Sequence, residues 1–149
     1  MPVINKRQFK NVKLFWLDFK DVDRYGKYSV TIGGLSDDDC EFFKGTKKTI
    51  KEDPKYGKFV RFAIKPERLE SLVYVDAKNR PLSMDTKPGN GSIANVVVAN
   101  FQNSMGIYPM LNGIQVVEMK EYGAGGRDNM FEPVEDFDML DSPFGDVDG

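Results

Sequence analysis

Between residues 27 and 32, and again between 58 and 65, apolar and polar side chains alternate one by one. Only an extended strand with one buried face uses that period. In the first stretch Tyr28, Val30 and Ile32 share one face while Lys27, Ser29 and Thr31 share the other. In the second, Val60, Phe62 and Ile64 fall inward and Phe59, Arg61 and Lys65 outward. Residues 12–19 are dense in β-branched and aromatic types without helical spacing and predict a strand buried on both faces. Residues 72–76, 92–101 and 113–122 predict further strands, with Val96-Val97-Val98 central in the sheet.

One helix stands against these strands. Ser36 is an N-cap, Asp37, Asp38 and Asp39 oppose the positive helix end, and Lys44, Lys47 and Lys48 suit the C-terminal half, which predicts a helix over residues 37–51. Residues 66–71 predict a helical turn, 78–81 a basic loop, and 106–112 a loop carrying Tyr108. Five or more strands with one helix inserted between early strands predict a mainly β fold. The expected form is a five-stranded antiparallel barrel of the OB type rather than a sandwich.

The chain has no histidine and one cysteine, Cys40, set between Asp39 and Glu41. An internal disulfide, a zinc site of about four Cys or His ligands, and any triad needing an imidazole are therefore excluded. Acids alone can hold magnesium, and a metal-dependent nuclease would draw on Asp18, Asp21 and Asp23 or on Asp37, Asp38 and Asp39. Turn chemistry and helix capping account for both clusters, so no metal, no cofactor and no enzyme are expected. No stretch approaches the roughly 18–20 apolar residues of a membrane span, and the N-terminus lacks the apolar core of a signal peptide, which predicts a cytoplasmic location.

The net charge of −2 conceals a division. All 21 Lys and Arg fall at or before Arg127, so residues 1–130 carry +5 and residues 131–149 carry −7. A self-repelling segment with two prolines and two glycines cannot bury enough surface to order itself. The chain thus divides into a folded domain, 1–130, and a disordered acidic tail, 131–149. Phe131, Phe137 and Phe144, with Met139 and Leu140, lie among the acids, and a purely solubilising tail has no use for them. Glu135, Asp136, Phe137, Asp138, Asp141, Phe144, Asp146 and Asp148 are the residues expected to dock on a protein partner.

Proteins that hold a single nucleic-acid strand combine cations along the phosphates with rings on which bases stack. The folded part interleaves both, and the candidates are Trp16, Lys27, Phe59, Arg61, Lys65, Lys78, Arg80 and Tyr108. An anionic tail tethered to this cationic body would compete with a polyanion for the same groove. There is no helix-turn-helix, zinc finger or basic helix with which to read a duplex. The competing expectation is a protein-interaction adaptor acting only through its acidic aromatic tail.

Three segments carry a family resemblance: Gly89-Asn90-Gly91-Ser92-Ile93-Ala94-Asn95-Val96, Leu111-Asn112-Gly113-Ile114-Gln115-Val116-Val117-Glu118, and Phe131-Glu132 followed by the acidic run. With them the chain resembles the acidic-tailed single-stranded DNA-binding proteins of tailed bacteriophages, through its C-terminal two-thirds by motif and its N-terminal third by architecture. The resemblance implies an OB fold, sequence-tolerant binding to single strands in phage replication and recombination in the host cytoplasm, and a tail that recruits replication proteins such as polymerase or helicase. It also implies strand annealing and a homodimer. Some such tails end in an aromatic residue, whereas this one ends Asp146-Val147-Asp148-Gly149 with Phe144 as its last ring, which counts against dimerisation through the tail.

Overall fold

Strand β1 (Val3–Asp18) is the spine of the molecule, and a computed structural model describes residues 2–120 around it. Its C-terminal part pairs antiparallel with β2 (Tyr28–Gly33), and its length from Val3 to Leu14 pairs antiparallel with β6 (Ser92–Asn103). On one side β2 continues to β4 (Gly57–Ile64) and the short β3 (Lys51–Asp53); on the other, β6 continues to β7 (Gly106–Glu118) and β5 (Val73–Asp76). The strand order is β3-β4-β2-β1-β6-β7-β5, antiparallel except for the parallel pair β5 and β7. Five main strands (β1, β2, β4, β6 and β7) make the mainly β, OB-like body, and β3 and β5 extend it. The two end strands do not pair with each other, so this is one open sheet curled round a core, with β4 approaching β7 across the gap.

Strand parity fills that core. Val30 pairs with Phe62 and Ile32 with Val60, and all four are buried with Ile64, Phe9, Val12, Leu14, Val96, Val98, Leu111 and Ile114. The intervening pairs, Ser29 with Ala63 and Thr31 with Arg61, therefore lie on the opposite, outer face.

Helix α1 (Asp37–Glu41) starts as expected. The Ser36 side chain accepts the Asp39 amide, and the Asp39 side chain returns to the Ser36 amide. It ends after five residues rather than running to 51. Phe43 must turn into the core, Gly45 adopts φ +77°, and the Thr46 hydroxyl donates to the Phe43 carbonyl, which together break the helix and lead into β3. Helix α2 (Pro66–Leu69) is the predicted turn. The loop expected over 106–112 is instead the first half of β7, and the reversal is the tight turn before Gly106 (φ +145°). A register shift between Val97 and Val98 takes up Asn112, so the strand runs on through Pro109 and Asn112 into the expected strand from Gly113. The N-terminal half of β1, whose strand was expected to begin at residue 12, is largely exposed.

No helix among the described residues is long and apolar enough to cross a membrane. The acidic tail and the glycine-rich break before it, with Glu135, Asp136, Phe137, Asp138, Asp141, Phe144, Asp146 and Asp148, lie outside the described residues.

Candidate nucleic-acid interface

The outer face of β1, β2 and β4 carries a second aromatic group, separate from the core. Phe15 on β1 and Phe59 on β4 both turn outward, and Tyr56, from the β3–β4 turn, lies edge-on to each, with ring centroids 4.7 and 5.4 Å apart. Gly33 makes the assembly possible: a Cβ there would come within 2.7 Å of the Tyr56 carbonyl oxygen and 2.8 Å of the Phe15 ring. Trp16 joins through its indole N–H, which donates to the Tyr56 hydroxyl at 2.9 Å, and its ring is half-buried.

Cations stand on the same face, one at this group and two at the other end of the ladder. Tyr28 pairs with Ile64, and continuing that register by one residue sets Lys27 beside Lys65 at the end of the β2–β4 ladder. Lys55 reaches over the Tyr56 ring with its ammonium 6.0 Å from the centroid. Arg61 lies on the same face, and its guanidinium meets the Asp23 carboxylate at 3.5 Å. Partial burial pushes the Asp23 carboxyl up, but the backbone amides of Lys27 and Tyr25 and the Arg61 charge outweigh it and hold the group below its ordinary value. Thr31, between Phe15 and Arg61 in the register, is 1% exposed, and its hydroxyl finds no partner among the described residues.

Of the eight residues picked from sequence, Trp16, Lys27, Phe59, Arg61 and Lys65 thus share one face. Two need correction in role. Phe59 points outward as its parity requires, yet only 9% of it is exposed, so its ring supports Tyr56 instead of offering a face to a base. Arg61 does not present an open charge, because the 19–27 loop brings Asp23 to it.

The other three lie elsewhere on the sheet. Lys78 and Arg80 are in the turn after β5, where the Arg80 guanidinium is bound to Asp76 at 2.8 Å and both backbone amides donate to the same carboxylate. Tyr108 is in β7 directly opposite Phe101, not in a loop. Between them a separate hollow on β5, β6 and β7 is lined by Val73, Val75 and Val97 and crossed by a side-chain amide ladder in which Asn95 donates to Gln115 and Gln115 to Asn79. Lys6 and Arg68 stand at its rim.

Sequence reasoning missed Tyr56 and Phe15. The signal for Tyr56 was present, a large ring next to a glycine in an otherwise polar turn, Asp53-Pro54-Lys55-Tyr56-Gly57. The acidic clusters set aside at the sequence level do structural work: Asp18 and Asp23 accept turn amides, and Asp39 caps α1 while binding Arg7 at 2.8 Å.

No family model and no curated protein matches the chain. Solved structures do. A C-terminally truncated single-stranded DNA-binding protein from bacteriophage Enc34 aligns with a TM-score of 0.53 at 13% identity, over 78% of this chain and 88% of that one. The same phage protein in complex with single-stranded DNA aligns at 0.51 and 13% identity over the same shares. The single-stranded DNA-binding protein gp2.5 of bacteriophage T7 gives 0.49 at 16% identity, over 88% and 97%. The chain therefore has the fold of the bacteriophage Enc34 single-stranded DNA-binding protein.

Proposed function

We propose that the chain binds single-stranded DNA with little sequence preference, as a non-enzymatic protein of phage DNA replication and recombination in the host cytoplasm. The observation that carries this reading is the outer face of β1, β2 and β4, where Trp16 and Tyr56 are held outside the core, Lys55 reaches over Tyr56, and Lys27 and Lys65 stand farther along the same ladder. Rings and cations in one place are what an unpaired strand needs, since every base has a face to stack and every phosphate a charge to neutralise. The face of the second and third main strands and the loop after the first strand carry oligonucleotides in OB folds. Here these are β2, β4 and the 19–27 loop. The Enc34 protein of the same fold is solved with single-stranded DNA.

Lys78, Arg80 and Tyr108 belong to a separate surface that would guide the flanking strand. The acidic tail, Glu135 to Asp148, supplies the contacts to replication proteins such as polymerase or helicase, and a homodimer remains part of this proposal.

Titrating fluorescent oligo-dT and a duplex of equal length against the protein at two salt concentrations tests the reading. Single strands should bind more tightly, with the affinity falling as a power of salt near 0.7 per phosphate neutralised, an order-of-magnitude slope. Equal affinity for the duplex, or no retention of oligo-dT at physiological salt, would overturn it. Removing residues 131–149 should tighten binding if the tail competes for the cationic face.

A further inference from the structure

Trp16 has a backbone conformation that a bulky side chain rarely takes. Its φ is +53°, inside the irregularity where β1 loses register with β2 between Phe15 and Asp18. Strand β1 contains a second such place, Asn11 with φ +57°, in the register shift between Phe9 and Val12. The two are built alike: the Asn11 amide donates to the side-chain oxygen of Asn95 at 3.0 Å, and the Trp16 amide to that of Asn90 at 2.8 Å. Asparagine tolerates this conformation and tryptophan does not. The chain therefore spends strain at residue 16 to place a large ring there.

Asn90 is itself held firmly. On either side of it the Gly91 amide donates to the Leu14 carbonyl at 2.8 Å, and the Gly89 amide to the Lys120 carbonyl. The Ser92 hydroxyl closes the turn onto the Gly89 carbonyl at 2.7 Å and accepts the Lys120 amide. Gly91 has φ +90°. The 89–92 turn is thus fastened to β1 and to Lys120, just past β7, and the Asn90 carboxamide is its one group aimed at the Trp16 amide. At the far end of the side chain, the Tyr56 hydroxyl fixes the rotation of the indole.

We propose that Asn90 is a positioning residue for nucleic-acid stacking: by clamping the Trp16 amide it maintains the left-handed bulge that presents the indole, while Tyr56 sets the direction of the ring. This rests on the single-strand reading above. It assigns a role to the Gly89-Asn90-Gly91 turn that requires no contact with a base, and predicts that the Asn90 side chain acts only through Trp16.

Trp16 is the single tryptophan of the chain, so its emission reports on its own ring. Oligo-dT should quench that emission in the full-length protein. Trp16→Ala should weaken binding by about 5- to 100-fold, the range one stacked base is worth, and Asn90→Ala should lose a comparable factor together with most of the quenching amplitude. In the Trp16→Ala background Asn90→Ala should add less than about twofold, because a residue acting through another is non-additive with it. Tyr56→Phe keeps the ring and removes only the hydroxyl; it should shift the free-protein emission and weaken binding several-fold, and it serves as the test if Asn90→Ala does not fold. Unchanged quenching and affinity in these variants, or losses that multiply in the double variant, would overturn the proposal. Oligo-dT bound by the native protein and equally well by Trp16→Ala would sink this inference alone, whereas a native protein that does not bind it sinks the single-strand reading itself.

Discussion

One sheet carries two aromatic groups on its opposite faces, and they are assembled differently. On the inner face Phe9 stacks on Phe43 with centroids 5.6 Å apart and meets Phe42 edge-on, while Phe19 packs against Tyr74. Nearly all of these rings are sealed, and aliphatic side chains from every main strand surround them. On the outer face Phe15 and Phe59 are covered in turn by Tyr56, but Tyr56 and Trp16 stay half-buried and are joined by a hydrogen bond, and the Lys55 ammonium reaches over Tyr56. Both groups draw rings from β1. The inner one stabilises the fold through burial alone, and the outer one uses buried rings as a base for two partly open ones. Parity along a strand decides which job a ring takes, and a covering loop decides how much of it is left to meet a ligand.

The sharpest way to separate the two groups is to delete a ring from the inner one. Phe9→Ala should cost about 3–5 kcal/mol of stability, read by urea unfolding, and leave oligo-dT affinity unchanged at a temperature where the variant is folded. A drop in affinity of the folded variant would mean the two faces are not independent.

Gly33→Ala probes the base of the outer group. The new methyl would collide with the Tyr56 backbone and the Phe15 ring, so stability should fall by about 1–3 kcal/mol and oligo-dT affinity should fall with it, since the platform under Tyr56 must shift. Loss of stability with full affinity would detach binding from this cluster.

Asp23→Asn removes a negative charge from the face beside Arg61, so oligo-dT should bind a few-fold more tightly. Because the folded state depresses the Asp23 pKa, its contribution to stability is present above the unfolded value near 4 and disappears as pH falls through the folded value. Acid titration of the native protein should show that loss below about pH 4, and the Asn variant should lack it. Thr31→Val has the smallest effect. It replaces a buried hydroxyl that has no partner among the described residues with a methyl of similar shape, and should leave stability equal or raised by up to about 1 kcal/mol.

The features that could be read from sequence were those set by local periodicity. Alternation over 27–32 and 58–65 gave the correct inward set, and Ser36 with three aspartates gave the helix start. What eluded it was imposed from a distance. Residues 3–11 have little pattern of their own and become a strand because β6 pairs with them. Residues 106–112 read as a loop because a bulge that absorbs an extra residue, here Asn112, leaves no mark separating it from a loop. The site follows the same rule. Trp16, Phe59 and Arg61 could be placed on a strand by their neighbours, but the cover over Phe59, the carboxylate at Arg61 and the clamp on Trp16 all come from loops that are remote in sequence.

The length of β1 also bears on how the chain acquires its shape. From Val3 to Val12 its only strand partner among the described residues is β6, which begins at Ser92, so a nascent chain emerging from the ribosome carries a row of open amides and carbonyls until most of the domain has been made. Pairings of such large sequence separation are slow to form, so collapse should begin in the local β3–β4 and β6–β7 hairpins and finish with β6 docking onto β1. Until that last step, the waiting edge is the place where two unfinished chains would find each other.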